Sequence, residues 1–154
     1  MANRIVRIES ITIENFKNVT QGTLDFENKR KDYKASVLGL YGQNGSGKTA
    51  LIDAIQLLKF ALCGKVIPKK YADYINVDAE YATLKYELVV RYVEITYNVW
   101  YQFSMRKVID ESATSSDETT NANVTTKVEM FDEVLSFSYE SETDKMRKAP
   151  LIDT

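Results

Sequence analysis

The sequence predicts an α/β domain in which a strand, a phosphate-binding glycine loop and a helix are followed by an antiparallel β-rich second half. Three observations carry that expectation. Gly42-Gln43-Asn44-Gly45-Ser46-Gly47-Lys48-Thr49 matches the G-x-x-x-x-G-K-[ST] pattern of a P-loop. The apolar run Ser36-Val37-Leu38-Gly39-Leu40-Tyr41 just before it reads as a buried strand, and Ala50 to Cys63 just after it carries Leu51, Ala54, Ile55, Leu58 and Leu62 at helical spacing. From Tyr81 to Val108 the chain is dense in Tyr, Val and Thr with Trp100 and Phe103, all residue types that favour strands.

Each residue type in the loop has a chemical reason to be there. Gly42, Gly45 and Gly47 take positive φ without a Cβ, so the backbone can fold tightly around an anion. Successive N–H groups then form a nest, to which the following helix adds its positive end. Lys48 is expected to reach the β- and γ-phosphates of ATP as the charge-neutralising catalytic group, and the Thr49 hydroxyl to hold Mg²⁺. Gln43, Asn44 and Ser46 complete the cradle. The competing reading, a glycine-rich turn beside a lysine, does not account for the strand–loop–helix context. Ile52, Leu57 and Phe60 make a second face of the helix apolar, so the helix is expected to be covered on both sides, with Gly64 as its stop.

Composition bounds the rest. The chain's 154 residues suffice for one domain with a real core, and 44% hydrophobic residues is ordinary for a globular protein. With 20 basic and 22 acidic residues, net charge gives no sign of a nucleic-acid-binding surface. Cys63 is the only cysteine, placed in the apolar helix, so no intramolecular disulfide forms and a reduced, cytoplasmic protein is expected. The absence of histidine excludes His-ligated zinc and Ser-His or Cys-His catalysis within this chain. No apolar run is long enough for a membrane span, and the Asn-x-Thr sites at Asn18 and Asn123 are expected to be silent.

In chain order, Arg4 to Phe16 alternates as a half-buried strand with an irregularity near Ser10, and Gly22 to Phe26 forms a second short strand after a turn near Asn18 to Gln21. Asn28 to Lys34 is a charged loop. Val66 to Asp78 reads as a loop with one helical turn around Tyr71 to Tyr74. The β-rich stretch is expected to reverse near Arg91 to Glu94, with Tyr97, Trp100 and Tyr101 as core aromatics. Residues 110–123 contain almost nothing apolar and read as a mobile, acidic hairpin tip. Val124 to Tyr139 returns to strand character, before a polar, charged tail with Pro150. The organisation is therefore one partial domain, with strands, loop and first helix in 1–64 and a β-rich subdomain in 65–154.

Ile11-Thr12-Ile13-Glu14-Asn15-Phe16-Lys17-Asn18, together with Leu40 to Thr49 and Leu51-Ile52-Asp53-Ala54-Ile55, resembles the N-terminus of SMC- and RecF-like ATPases, including OLD-family and phage-defence AAA-family members. The resemblance implies a P-loop NTPase fold: the incomplete N-terminal lobe of an ABC-type ATPase head with an antiparallel β-subdomain. It also implies that Lys17 and Asn18 lie beside the bound nucleotide and Asn44 near the γ-phosphate. In this class ATP clamps two heads into a homodimer that acts on DNA or on an effector nuclease.

A complete ATPase needs a Walker B strand, apolar and ending in an acidic pair, to hold Mg²⁺ and polarise water. Val128-Glu129-Met130-Phe131-Asp132-Glu133 carries the pair, but Glu129 interrupts the apolar run. The glycines of an ABC signature are missing from Leu135-Ser136-Phe137-Ser138. The expectation is that a C-terminal lobe outside this chain supplies those parts, that the complete protein hydrolyses ATP, and that this chain alone is inactive. Two alternatives stand: a non-hydrolysing nucleotide-binding or assembly module, and a small P-loop kinase, whose arginine-rich lid would have to come from Arg91, Arg106 and Arg147.

Overall fold

A computed structural model describes residues 4–26, 39–110, 126–140 and 145–154. Six strands form one antiparallel sheet: β1 (Arg4–Phe16), β2 (Val19–Asp25), β3 (Tyr81–Tyr92), β4 (Ile95–Ile109), β5 (Thr126–Glu140) and β6 (Lys145–Asp153). Their order across the sheet is β2-β1-β3-β4-β5-β6. One helix, α1 (Lys48–Leu62), and a 3-10 turn (Lys69–Tyr74) complete the described elements.

Strand alternation decides which side is covered. Ile11 and Ile13 of β1, Ala82, Leu84, Tyr86 and Leu88 of β3, and Tyr101, Phe103 and Met105 of β4 point to one face and are buried. Ala50, Leu51, Ala54, Leu57 and Leu58 of α1 pack onto them, and the Tyr86 hydroxyl donates to the Ala54 carbonyl at 2.8 Å. The irregularity expected near Ser10 is a register shift between Ile8 and Ser10 against β3. The reversal expected near Arg91 to Glu94 is the Val93–Glu94 turn, which pairs Tyr92 with Ile95. The helix stops as its glycine predicts. Gly64 is left-handed (φ 59°), its N–H donates to Ala61 O and the Lys65 N–H donates to Phe60 O, a Schellman closure.

Several expectations are corrected. Residues 39–41 form no strand, and Tyr41 is 96% exposed; 36–38 lie outside the described residues. A buried strand needs neighbours for its backbone groups, and no parallel partner exists among the described residues. Of the expected second face of the helix, Leu57 is fully buried and Phe60 packs partly buried against the core, while Ile52 is 58% exposed; Leu62, at the end of the first face, is 55% exposed. Cys63 sits just past the helix as an exposed cap residue. The aromatic trio divides by alternation: Tyr97 and Tyr101 point to the α1 side, Trp100 to the other.

The expected polar tail is strand β6, paired to β5 at the sheet edge, where Pro150 is tolerated beside a register shift between Leu135 and Ser136. Asp110 is no part of a mobile tip. It is buried, with Lys69 at 2.8 Å and Lys127 at 3.9 Å, while 111–123 and the charged loop 28–34 lie outside the described residues. A single sheet runs through both halves of the chain, because β1 pairs with β3. No helix among the described residues is long and apolar enough to cross a membrane.

Candidate functional site

The Gly42–Thr49 loop leads directly into α1. Two of its glycines are left-handed, Gly45 at φ 86° and Gly47 at φ 88°, a region where a side chain is strained. At Gly42 the constraint is space instead: an added Cβ would lie 2.7 Å from Ser46 Oγ and 3.7 Å from Lys48 Nζ. The Ser46 N–H donates to Gln43 O at 3.2 Å and closes the turn. Gly47 caps α1 without a side-chain hydrogen bond, and no acidic residue stands in the first turn. The first N–H groups of the helix therefore have no carboxylate competing with an incoming anion.

Lys48 Nζ lies inside the loop, 2.7 Å from Gly42 O, 2.7 Å from Gln43 O and 3.1 Å from Ser46 Oγ. These partners are neutral, so the ammonium keeps its full charge toward an anion. Asn44 is exposed on the loop, and Thr49 is exposed in the first turn of α1. Nest-forming glycines, an uncapped helix start, a lysine amine and a hydroxyl together match the donor set that a polyphosphate with Mg²⁺ demands. In such a complex the loop N–H groups and Lys48 would hold the phosphates and Thr49 the metal. The metal's part would be to neutralise charge on the transferred phosphoryl group.

The resemblance placed Lys17 and Asn18 together beside a ligand; the structure gives them different partners. Asn18 Nδ2 donates to the Gly45 carbonyl of the loop. Lys17 Nζ pairs with Asp53 on the second turn of α1, and lies 3.9 Å from the centre of the Tyr74 ring. Asp53, the partner of Lys17, is the residue of this site that the sequence did not single out.

Other candidates do not converge on the loop. Asp132 and Glu133 lie on β5, which β3 and β4 separate from β1; three strand spacings amount to roughly 14 Å. Asp132 is left-handed (φ 49°) where β5 shifts register against β4, and Glu133 accepts the Tyr101 hydroxyl at 2.5 Å. That bond and burial push the Tyr101 phenol above its ordinary range, burial being the larger cause. Glu133 thus serves the sheet. Arg91 and Arg106 sit within β3 and β4, and Arg106 pairs with Glu129 at 2.5 Å, so neither extends as a lid.

The DNA replication and repair protein RecF of Azobacteroides pseudotrichonymphae is 45% identical over 53 residues, which is 34% of this chain and 13% of that protein. The protein of the same name from Deinococcus radiodurans is 38% identical over 52 residues, 34% of this chain and 12% of the relative. The match thus spans about an eighth of these relatives' length. No solved structure matches. Residues 10–148 match the AAA domain family, and the chain belongs to it, within the SMC- and RecF-like ATPases.

Proposed function

We propose that the chain is the N-terminal lobe of an ABC-type ATPase head with a P-loop NTPase fold, and that Gly42–Thr49 binds Mg-ATP. Gly42, Gln43, Asn44, Gly45, Ser46 and Gly47 would surround the phosphates, Lys48 would neutralise them and Thr49 would hold Mg²⁺. The single observation that carries this reading is the loop itself: two left-handed glycines, an uncapped helix start and Lys48 Nζ turned into the loop.

Hydrolysis belongs to the complete protein on this reading. Ground-state binding by a nest and one lysine lowers no barrier unless another group favours the transition state. Among the described residues no acidic pair lies at the loop. The open side of α1, with Ile52 and Leu62 exposed, together with exposed Leu40 and Tyr41, is where a further lobe would pack and bring the catalytic acid. ATP-driven dimerisation of two such heads, in the cytoplasm, for DNA repair or phage defence, completes the proposal. That no acidic pair lies at the loop among the described residues also favours a second reading, a nucleotide-binding module that does not hydrolyse.

Phosphate release distinguishes them. The 154-residue chain should bind Mg-ATP and turn it over no faster than background. The chain extended by the segment that follows it in the gene should hydrolyse ATP and dimerise with it by light scattering. Binding without turnover in both would favour the module. Robust turnover by this chain alone, lost in Glu133→Gln, would overturn the division of labour.

A further inference from the structure

The corner between β1 and β2 touches the candidate loop at two points. Asn18 Nδ2 donates to the Gly45 carbonyl, and Val19 Cγ2 lies only 2.9 Å from where a Cβ on Gly47 would stand. The Gly45–Ser46 peptide is planar and trans, so its C=O and N–H point in opposite directions, and holding one end orients the other. Asn18 holds the C=O end, while the Ser46 N–H donates to Gln43 O at 3.2 Å. Side packing does not do this job, because an added Cβ at Gly45 would meet nothing within 4 Å.

The corner is itself held hard. Lys17 is left-handed at φ 54° and Asn15 at φ 55°, on either side of fully buried Phe16. Backbone in that region persists only where its surroundings over-determine it. Here the surroundings are specific: Lys17 N–H donates to Tyr74 O at 2.5 Å, Asn76 N–H donates to Asn15 O at 2.9 Å, and the Lys17 ammonium pairs with Asp53. That ion pair is the least exposed among the described residues, at 21% and 18% for the two side chains.

We propose that Asn18 is a positioning residue for the loop, setting the Gly45–Ser46 peptide, and that Lys17 locks the corner through Asp53 and Tyr74. This deepens the phosphate-loop reading and rests on it. It gives Asn18 work on the loop backbone and Lys17 work on Asp53 and Tyr74, in addition to the place beside the nucleotide that the resemblance implies.

The test is amide hydrogen exchange on the nucleotide-free 154-residue chain, alongside Mg-ATP titration. Asn18→Ala should speed exchange at Ser46 about tenfold, the loss expected for one hydrogen bond, and weaken Mg-ATP binding by a similar factor. Leu51, whose N–H donates to Gly47 O at 3.1 Å, serves as the unaffected control. Asn18→Gln, which returns a carboxamide donor, should recover part of the protection. Lys17→Ala should speed Ser46 exchange as well, and Lys17→Arg should restore it. Unchanged Ser46 exchange in both alanine variants would overturn the proposal, and lost affinity without it would assign Asn18 to direct ligand contact. If the wild-type chain bound no Mg-ATP while Ser46 exchange still rose in Asn18→Ala, the positioning role would stand and the phosphate-loop reading would fail.

Discussion

Among the described residues the sheet turns through two glycine-free corners of two residues each, and their surroundings differ sharply. Lys17–Asn18 joins β1 to β2, and Val93–Glu94 joins β3 to β4. The first residue of each is left-handed, φ 54° for Lys17 and φ 57° for Val93, as the tight hairpin turns require. At the second corner Val93 is 63% exposed, and beside it Arg4 lies over the Tyr92 ring at 5.0 Å. At the first, one residue reaches the helix and the 3-10 turn while the next reaches the glycine loop. The same local strain is therefore a surface feature in one place and part of a site in the other. A left-handed residue acquires meaning from what holds it there.

The largest effect should come from the apolar anchor of each corner. Phe16→Ala removes a fully buried ring and should cost about 3–5 kcal/mol in urea denaturation. Tyr92→Ala at the other corner should cost below about 1 kcal/mol, because the ring is half in solvent. Equal costs would erase the contrast.

Glycine at the left-handed position should then separate the corners by sign. Val93→Gly relieves a β-branched residue from a costly region, about 1–2 kcal/mol, against an entropic loss of roughly 0.5–1 kcal/mol, so it should stabilise slightly. Lys17→Gly gains the same relief but leaves Asp53 without its partner, a loss of about 1–3 kcal/mol. It should destabilise. Stabilisation by both would mean that the Lys17–Asp53 pair contributes nothing.

The smallest effect lies in the ladder between the corners. Tyr86 and Tyr101, paired across β3 and β4, both have phenols pushed above their ordinary value of 10.0, chiefly by burial. The folded chain keeps these protons while the unfolded chain releases them, so stability should be level at neutral pH and fall as pH rises past about 10. Thermal melts of Tyr101→Phe should show a shallower alkaline fall than wild type. An unchanged slope would remove Tyr101 from the account.

Local signals were legible in the sequence where they needed no distant partner. Gly64 closes α1, the Ser10 irregularity is a register shift, and the reversal at Val93–Glu94 was visible without Gly or Pro. Features that depend on neighbours were misread. Leu40 and Tyr41 look like a strand by composition, yet a strand requires hydrogen-bond partners that the described residues do not offer. Periodicity marked apolar faces on the helix but could not say that the core reaches Leu57 and leaves Ile52 and Leu62 exposed. The residues flanking Pro150 form β6 because β5 presents an open edge, which a charged sequence does not announce. In the site, the glycine pattern named the loop, but Asp53 was invisible as the partner of Lys17 because the two lie 36 residues apart.

The central claim is that Gly42–Thr49 is a cradle for nucleotide phosphate. Calorimetric titration of the chain with Mg-ATP, compared with Lys48→Ala, tests it most directly. The hydrogen bonds of Lys48 go to the loop, so the variant should melt within a few degrees of wild type. The account predicts measurable binding by the wild-type chain and none by Lys48→Ala. Equal affinity in the two proteins, or no binding by a folded wild-type chain, would contradict it.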